Sequence, residues 1–410
     1  MMMQPLKLQD FTANERVLGK VRELKATKRV VSDVVDAEGN QYVDLVMEGG
    51  GTLGIALLGY VHGLEQAGIR FLDIGGTSAG AITAMLLAAV DTKDKPKSER
   101  LLELLATQNL GEFVDGRRGV RRFINGWLAK RPKLLLLFHG WAVMRAILDR
   151  LGLNPGRVFQ DWMKRSLAAS GIHTVRDLNE RMAWVPPELH HRAGQALSKD
   201  DLDCHLALIA AEVTTESKIE FPRMAAFFWK DWEQQSPALF VRASMSVPFF
   251  FEPMSVRLPH LAEGELEKKW EDIGVPGVKA GEECLLIDGG IMSNFPINLF
   301  HVDGAVPSAP TFGVSLGKRT RHTIRKPGAL AKAIFESARH CLDYDFILRH
   351  RDYKHLLMQI DTGKHQWLDF EVSREAQVDL FASGVDAAAT FLSNFKWQDY
   401  KEERLKLLRA

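Results

Sequence analysis

The 410 residues carry 53 basic against 52 acidic side chains, a net charge of +1, so no global field directs the chain toward nucleic acid and no such partner is expected. A hydrophobic content of 46% suffices for a deep core, in one large α/β domain with insertions or in two domains. No stretch reaches about 18 uninterrupted apolar residues, which excludes a membrane-spanning helix, and Cys204, Cys284 and Cys341 lie scattered in mostly apolar surroundings, as buried reduced thiols rather than disulfides.

In chain order, residues 1–40 read as an N-terminal arm, with a basic stretch from Arg22 to Arg29 and a turn at Glu38-Gly39-Asn40. Met1 to Lys28 is charged throughout and lacks the apolar core of a secretory leader. A cytoplasmic or peripheral-membrane location is therefore expected, with export by a non-classical route left open. From residue 41 the pattern is strand, glycine loop, helix, strand, sharp turn and helix, the βαβα order of a sheet covered by helices. Polar Asp91 to Arg100 then opens a largely helical insertion at about 95–200. Within it Asn154-Pro155 starts and Gly171 stops a helix over Val158 to Ala169. Strand signals return at Leu206 to Val213, Cys284 to Ile287 and Phe312 to Leu316. Helices are expected near Gly328 to Leu348 and Glu375 to Phe395, with Leu356 to Ile360 strand-like between them. No internal repeat is visible.

One part of the insertion is a basic amphipathic helix. Between Gly116 and Phe138 seven positive charges, among them Arg121, Arg122 and Lys130, occur with no acid, while Val120, Phe123, Ile124, Trp127 and Leu128 recur at helical spacing. Such a helix suits an anionic bilayer surface, with Arg121, Arg122, Phe123, Trp127 and Lys130 as membrane-binding candidates. An ordinary surface helix packed on the domain has the same pattern. The aromatic cluster Phe227, Phe228, Trp229 and Trp232 is expected in the core, with an acyl channel or an interface as the alternative.

Chemistry concentrates at three turns. Gly76-Thr77-Ser78-Ala79-Gly80 follows the apolar run Ile69–Ile74 and precedes a helix, so the G-x-S-x-G turn lifts a serine hydroxyl to the top of the sheet, and Gly76 and Gly80 let strand and helix approach. Upstream, Glu48-Gly49-Gly50-Gly51-Thr52-Leu53-Gly54 ends another apolar run; the bare backbone of Gly49, Gly50 and Gly51 can donate N–H groups to a developing oxyanion at the start of a helix. Far downstream the apolar strand Cys284–Ile287 ends in Asp288-Gly289-Gly290. Alone, the serine turn is also a plain packing turn, and Asp-Gly is among the commonest turn formers. His139, His205 and the pair His190-His191 have no metal-ligand spacing with another cysteine or histidine, and His62 is expected to be an ordinary packed residue; no metal and no cofactor is expected.

Taken in that order, the glycine loop with Gly54, the serine elbow and the Asp-Gly-Gly turn resemble the patatin-like phospholipase family. The resemblance extends to the block Arg242-Ala243-Ser244-Met245-Ser246-Val247-Pro248-Phe249-Phe250-Phe251-Glu252-Pro253 and spans roughly residues 41–320. It implies a three-layer α/β/α fold with a central, mostly parallel sheet and a helical insertion, residues 41–410 forming one hydrolase domain. It further implies Ser78 as nucleophile, Asp288 as its base in a two-residue dyad, Gly49 to Gly51 as oxyanion loop, and Gly54, Gly76, Gly80, Gly289 and Gly290 as supporting residues. The substrate would be a carboxylic ester of a phospholipid or another acyl lipid, met at a membrane surface, with a protein or small-molecule activator left open. Without histidine, Asp288 must be desolvated enough to raise its proton affinity. The chain departs from the family at Leu53, where Arg or Lys is usual, and Glu48 before the loop is also unusual.

Two other functions remain compatible with these residues. Gly49, Gly51 and Gly54 also spell G-x-G-x-x-G, and Asp73 falls 19 residues beyond Gly54, as in an NAD(P)-binding oxidoreductase. A lipid-binding or regulatory protein would keep the fold without turnover.

Overall fold

The computed structural model describes residues 6–27, 29–116, 143–317 and 323–409. The first segments follow the glycine punctuation. Strand β1 (Gln41–Met47) runs into the glycine loop and helix α1 (Gly54–Gln66), then β2 (Ile69–Thr77) into helix α2 (Ala79–Ala89). The strand β2 continues past Ile74 to Thr77, so its last residues are the glycines of the elbow themselves. Strands β3 (Leu206–Glu212), β4 (Ser217–Phe221), β5 (Met254–Arg257), β6 (Glu283–Asp288), β7 (Thr311–Leu316) and β8 (Leu357–Ile360) extend the main sheet, and the short strand Val34–Val35 pairs with the start of β1 at Gln41 and in turn with the short strand His190–His191. Three further helices pack at the C-terminal end of β1 and β2 or cover the sheet: α3 (Ala238–Ser244), α4 (Pro327–Arg349) and α5 (Arg374–Asn394).

The strands run in the order β8-β7-β1-β2-β3-β6-β5, with β4 paired to β3. The pairings from β8 through β3 are parallel, and β6, β5 and β4 add antiparallel edges. Helices flank this mostly parallel sheet in the expected α/β/α layers. Strands such as β3, read as LALIAAE and buried along their whole length, lack polar alternation because both faces are covered. Parallel register matters for function: it brings the C-terminal ends of β1 and β2 side by side, with Met47 paired to Gly76. Antiparallel β6 arrives beside them from the other direction, Asp288 pairing with Ala210 at the middle of β3.

The helices α1 and α5 meet at bare backbone. A methyl group on Gly59 would lie 2.0 Å from the Phe381 carbonyl oxygen, and one on Gly384 would lie 2.0 Å from that of Ala56. N-terminal helices Leu8–Thr12 and Glu15–Ala26 join this layer, Phe11 packing edge-on to Phe381 and Arg16 pairing with Asp379 and Asp386. Among the aromatic cluster, Phe228 is buried against Phe221, Trp229 and Trp270, a core position. Among the described residues no helix is long and apolar enough to cross a membrane. The basic segment holding Arg121, Arg122, Phe123, Trp127 and Lys130 lies outside the described residues.

Candidate active site

Ser78 occupies the apex between β2 and α2 with φ 52° and ψ −114°. A non-glycine residue in that region is strained, and such strain persists only where surrounding packing enforces it. Two glycines do so here: a methyl group on Gly80 would lie 2.2 Å from the Met47 carbonyl oxygen, and one on Gly76 would meet the Gly80 backbone at 2.7 Å. The elbow is also pinned by hydrogen bonds. Ser78 N–H donates to Ser244 Oγ at 2.9 Å, Ser244 Oγ donates to the Ile209 carbonyl at 2.6 Å, and Thr77 Oγ1 donates to the Ser293 carbonyl at 2.8 Å.

Asp288 is brought to the same place by β6. Its N–H donates to the Ser246 carbonyl at 2.9 Å and its Oδ1 accepts from Gly290 N–H at 2.7 Å. Ser244 and Ser246, at the end of α3, therefore hold the serine and the aspartate respectively, which gives the block around Arg242 a structural task. Arg242 itself is buried and bonds the Pro155 and Glu252 carbonyls at 2.7 and 2.8 Å, joining the insertion to the site. Burial raises the Asp288 carboxyl above the ordinary aspartate value, opposed by the Arg339 charge, a hydrogen bond from Ser78 and the Gly290 amide. Desolvation wins, the direction that a carboxylate base for serine needs.

The glycine loop faces the elbow. A methyl group on Gly49 would lie 3.1 Å from Ser78 Cβ, so only glycine allows this approach. Gly49 is nevertheless a correction to the sequence expectation: its N–H already donates to the Asn294 carbonyl at 2.9 Å and is not open to an oxyanion. The N–H groups of Gly50 and Gly51 have no acceptor among the described residues. Gly51 has φ 54°, and a methyl group there would meet the Trp367 carbonyl oxygen at 2.0 Å, while Thr52 N–H donates to that same oxygen at 2.9 Å. Leu53 is buried, so no cation stands at that position.

Glu48 receives a physical explanation. Its carboxylate accepts from Asn294 Nδ2 at 3.0 Å and from Leu316 N–H at 2.6 Å, stitching the loop to β7. Asn294, Arg339 and Trp367 escaped the sequence reasoning. They are single polar or aromatic residues in unremarkable surroundings, and only the Asn294 position, six residues past Asp288, offered a local signal.

An apolar cavity of about 700 Å³, counted with its open mouth, leads away from Ser78. Ile82, Leu105, Leu110, Met245 and Leu368 line it, and the packed rings of Phe113, Phe159 and Trp162 form part of its wall. No group of histidine, cysteine and acidic residues able to hold a metal occurs among the described residues. His62 is a packed residue beside Ser98 and Phe381. Asp73 lies short of the end of β2 and its carboxylate is engaged with the His205 N–H, away from the position a ribose contact would require.

The uncharacterized protein YqhO of Bacillus subtilis (strain 168) is 28% identical over 361 residues, covering 87% of this chain and 100% of that protein. Among solved structures, VipD from Legionella pneumophila aligns over 90% of this chain and 70% of its own, at 16% identity and a TM-score of 0.41. The type III effector ExoU, of Pseudomonas aeruginosa, aligns over 90% of this chain and 55% of its own, at 15% identity and a TM-score of 0.32. Residues 45–301 match the family described as patatin-like phospholipase, a span that includes Gly49, Ser78 and Asp288. The chain therefore belongs to the patatin-like phospholipase family, a family of lipid hydrolases.

Proposed function

We propose that this chain is a phospholipase A-type lipid acyl hydrolase that cleaves carboxylic esters of membrane phospholipids or related acyl lipids with a Ser78–Asp288 dyad. Ser78 Oγ attacks the ester carbonyl carbon while its proton passes to Asp288. The N–H groups of Gly50 and Gly51 receive the charge on the carbonyl oxygen, helped by the positive end of α2. Collapse breaks the bond to the leaving alcohol, which takes the proton from Asp288. Water then attacks the acyl-Ser78 ester as Asp288 accepts its proton; the fatty acid departs, and Ser78 recovers its hydrogen. The whole cycle uses side chains and backbone of this chain alone.

The observation that carries the proposal is the apolar cavity opening on Ser78, with the buried Asp288 carboxyl raised by desolvation beside it. A water-soluble substrate gains nothing from such a wall, whereas an acyl chain gains about 0.8 kcal/mol per buried methylene. Residues 41–410 act as one hydrolase domain in this account. Contact with the bilayer is assigned to the basic segment around Arg121, Arg122, Phe123, Trp127 and Lys130, consistent with a cytoplasmic or peripheral-membrane location.

The test is hydrolysis of defined phospholipid vesicles. Ser78→Ala and Asp288→Asn are each expected to reduce turnover to background with the circular dichroism of the wild type. Full activity in either purified variant refutes the dyad, and an inert wild type that still binds vesicles favours the non-catalytic lipid-binding alternative. Charge reversal at Arg121 and Arg122, like high salt, is expected to release the protein from anionic vesicles.

A further inference from the structure

Three side chains converge on the face of Gly290. A methyl group built there would lie 2.7 Å from Asn294 Oδ1, 2.9 Å from Asp288 Oδ1 and 3.2 Å from Arg339 Nη2. Only a bare α-carbon leaves room for carboxylate, amide and guanidinium together. Arg339 reaches this point from α4, outside the segment matched to the family. It is 8% exposed, donates to Asn294 Oδ1 at 2.5 Å, and its guanidinium carbon lies 5.3 Å from the Trp367 ring centre.

Asn294 extends the chain of contacts to the glycine loop. Its Nδ2 donates to Glu48 Oε1 at 3.0 Å and to the Gly49 carbonyl at 3.2 Å, and its own carbonyl accepts the Gly49 N–H. Trp367 closes the circuit from above, since its carbonyl holds the Thr52 N–H. Among the described residues, further titratable groups facing this cluster include Glu336, 3.9 Å from Arg339 Nη1, His340, 3.8 Å from Glu48 Oε1, and Asp343, whose carboxyl accepts from the Ser293 hydroxyl and the Phe295 N–H.

We propose that Arg339 is a positioning residue for ester hydrolysis: its buried guanidinium shares the face of Gly290 with the Asp288 carboxylate, where it favours the charged base, and its bond to Asn294 ties that pocket to Glu48 and the glycine loop. The inference rests on the Ser78–Asp288 dyad and adds a residue that touches neither substrate nor the reacting atoms. Burial alone would drive Asp288 toward its neutral form, in which it cannot accept the serine proton. A cation held in the same low-dielectric pocket opposes that drift, and the pull of Arg339 on the Asp288 carboxyl is in this direction. The base is thus more basic than a solvated aspartate, with the Arg339 charge working against its neutralisation.

A merely structural Arg339 would change rate and stability but not the pH at which activity is lost. The test is therefore kcat/KM for p-nitrophenyl butyrate measured from roughly pH 4 to 9 for wild type, Arg339→Gln, Arg339→Lys and Asn294→Ala. In Arg339→Gln the acid limb is expected to move to higher pH, lowering activity at mildly acid pH on the order of tenfold more than at the alkaline plateau. Arg339→Lys, which keeps the charge, is expected to return the limb toward the wild-type position. Asn294→Ala, which removes the tether, is expected to shift it in the Gln direction by a smaller amount. An unmoved acid limb in folded Arg339→Gln overturns the proposal, and if that variant does not fold, an unmoved limb in Asn294→Ala does so. Ser78→Ala on the same ester separates the two levels: retained activity removes the dyad itself, whereas an inert Ser78→Ala with an unmoved limb strikes only the role of Arg339.

Discussion

Gly80 has almost no latitude: a β-carbon there would sit 2.2 Å from the Met47 carbonyl oxygen, a backbone atom that cannot swing aside. Gly80→Ala is therefore expected to cost about 1–3 kcal/mol of stability through overpacking and to displace Ser78, so that thermal unfolding and ester hydrolysis fall together. A variant with unchanged melting and activity would contradict so close an approach of strand and helix. Asp288 carries a second prediction. In the proposed dyad the ionised form is the active one, and burial raises the carboxyl above the ordinary aspartate value, so activity is expected to decline as pH falls through a point higher than a solvated aspartate would give. A pH–rate profile still flat at the ordinary aspartate value would argue against Asp288 as the base. The positions of Ser78 and Asp288 at strand ends were legible in the sequence because each sits in a glycine turn whose backbone demands are local. The engagement of the Gly49 N–H, and the parts played by Asn294 and Arg339, were not legible. They depend on Asn294, which meets Gly49 across 245 residues of chain and Arg339 across 45.

Elements decide what the serine can reach. The helix Arg157–Ala168 supplies Phe159 and Trp162, which pack with Phe113 at ring separations of 5.2–5.8 Å along the cavity wall. Replacing Trp162 by Leu opens that wall, and longer acyl chains are expected to gain kcat/KM by about fourfold for each extra methylene the cavity accepts. A chain-length series of monoesters measures this, and an unchanged length preference would show that the acyl chain lies elsewhere. The main strands and helices were largely legible in the sequence. Glycine and proline mark their ends, and fully buried parallel strands announce themselves as unbroken apolar runs such as Leu206–Ala211. The strap carrying Trp367, Leu368 and Phe370 was not, because it has no periodicity and acquires its place only by contact: Phe370 stacks on Phe250 at 5.1 Å, and the Trp367 carbonyl holds the glycine loop.

At the scale of the whole molecule, the catalytic end of the sheet depends on residues far beyond the family match. Strands β7 and β8 extend the sheet outward from β1, α4 brings Arg339 to the face of Gly290 beside Asp288, and α5 covers α1 with Phe381 against Gly59. Truncation before α5 is expected to expose the apolar surface of α1 and leave a species that binds a hydrophobic dye and lacks cooperative melting. A soluble, cooperatively melting truncated protein would mean that the C-terminal layer is an accessory. The central claim is that Asp288 activates the Ser78 hydroxyl, and the rate of covalent labelling by a fluorophosphonate, read by mass spectrometry of the intact protein and its peptides, tests it most directly. One adduct on Ser78 is predicted, forming on the order of a hundredfold or more slower in Asp288→Asn; an adduct on another residue, or labelling of Ser78 at the wild-type rate without the carboxylate, would contradict it.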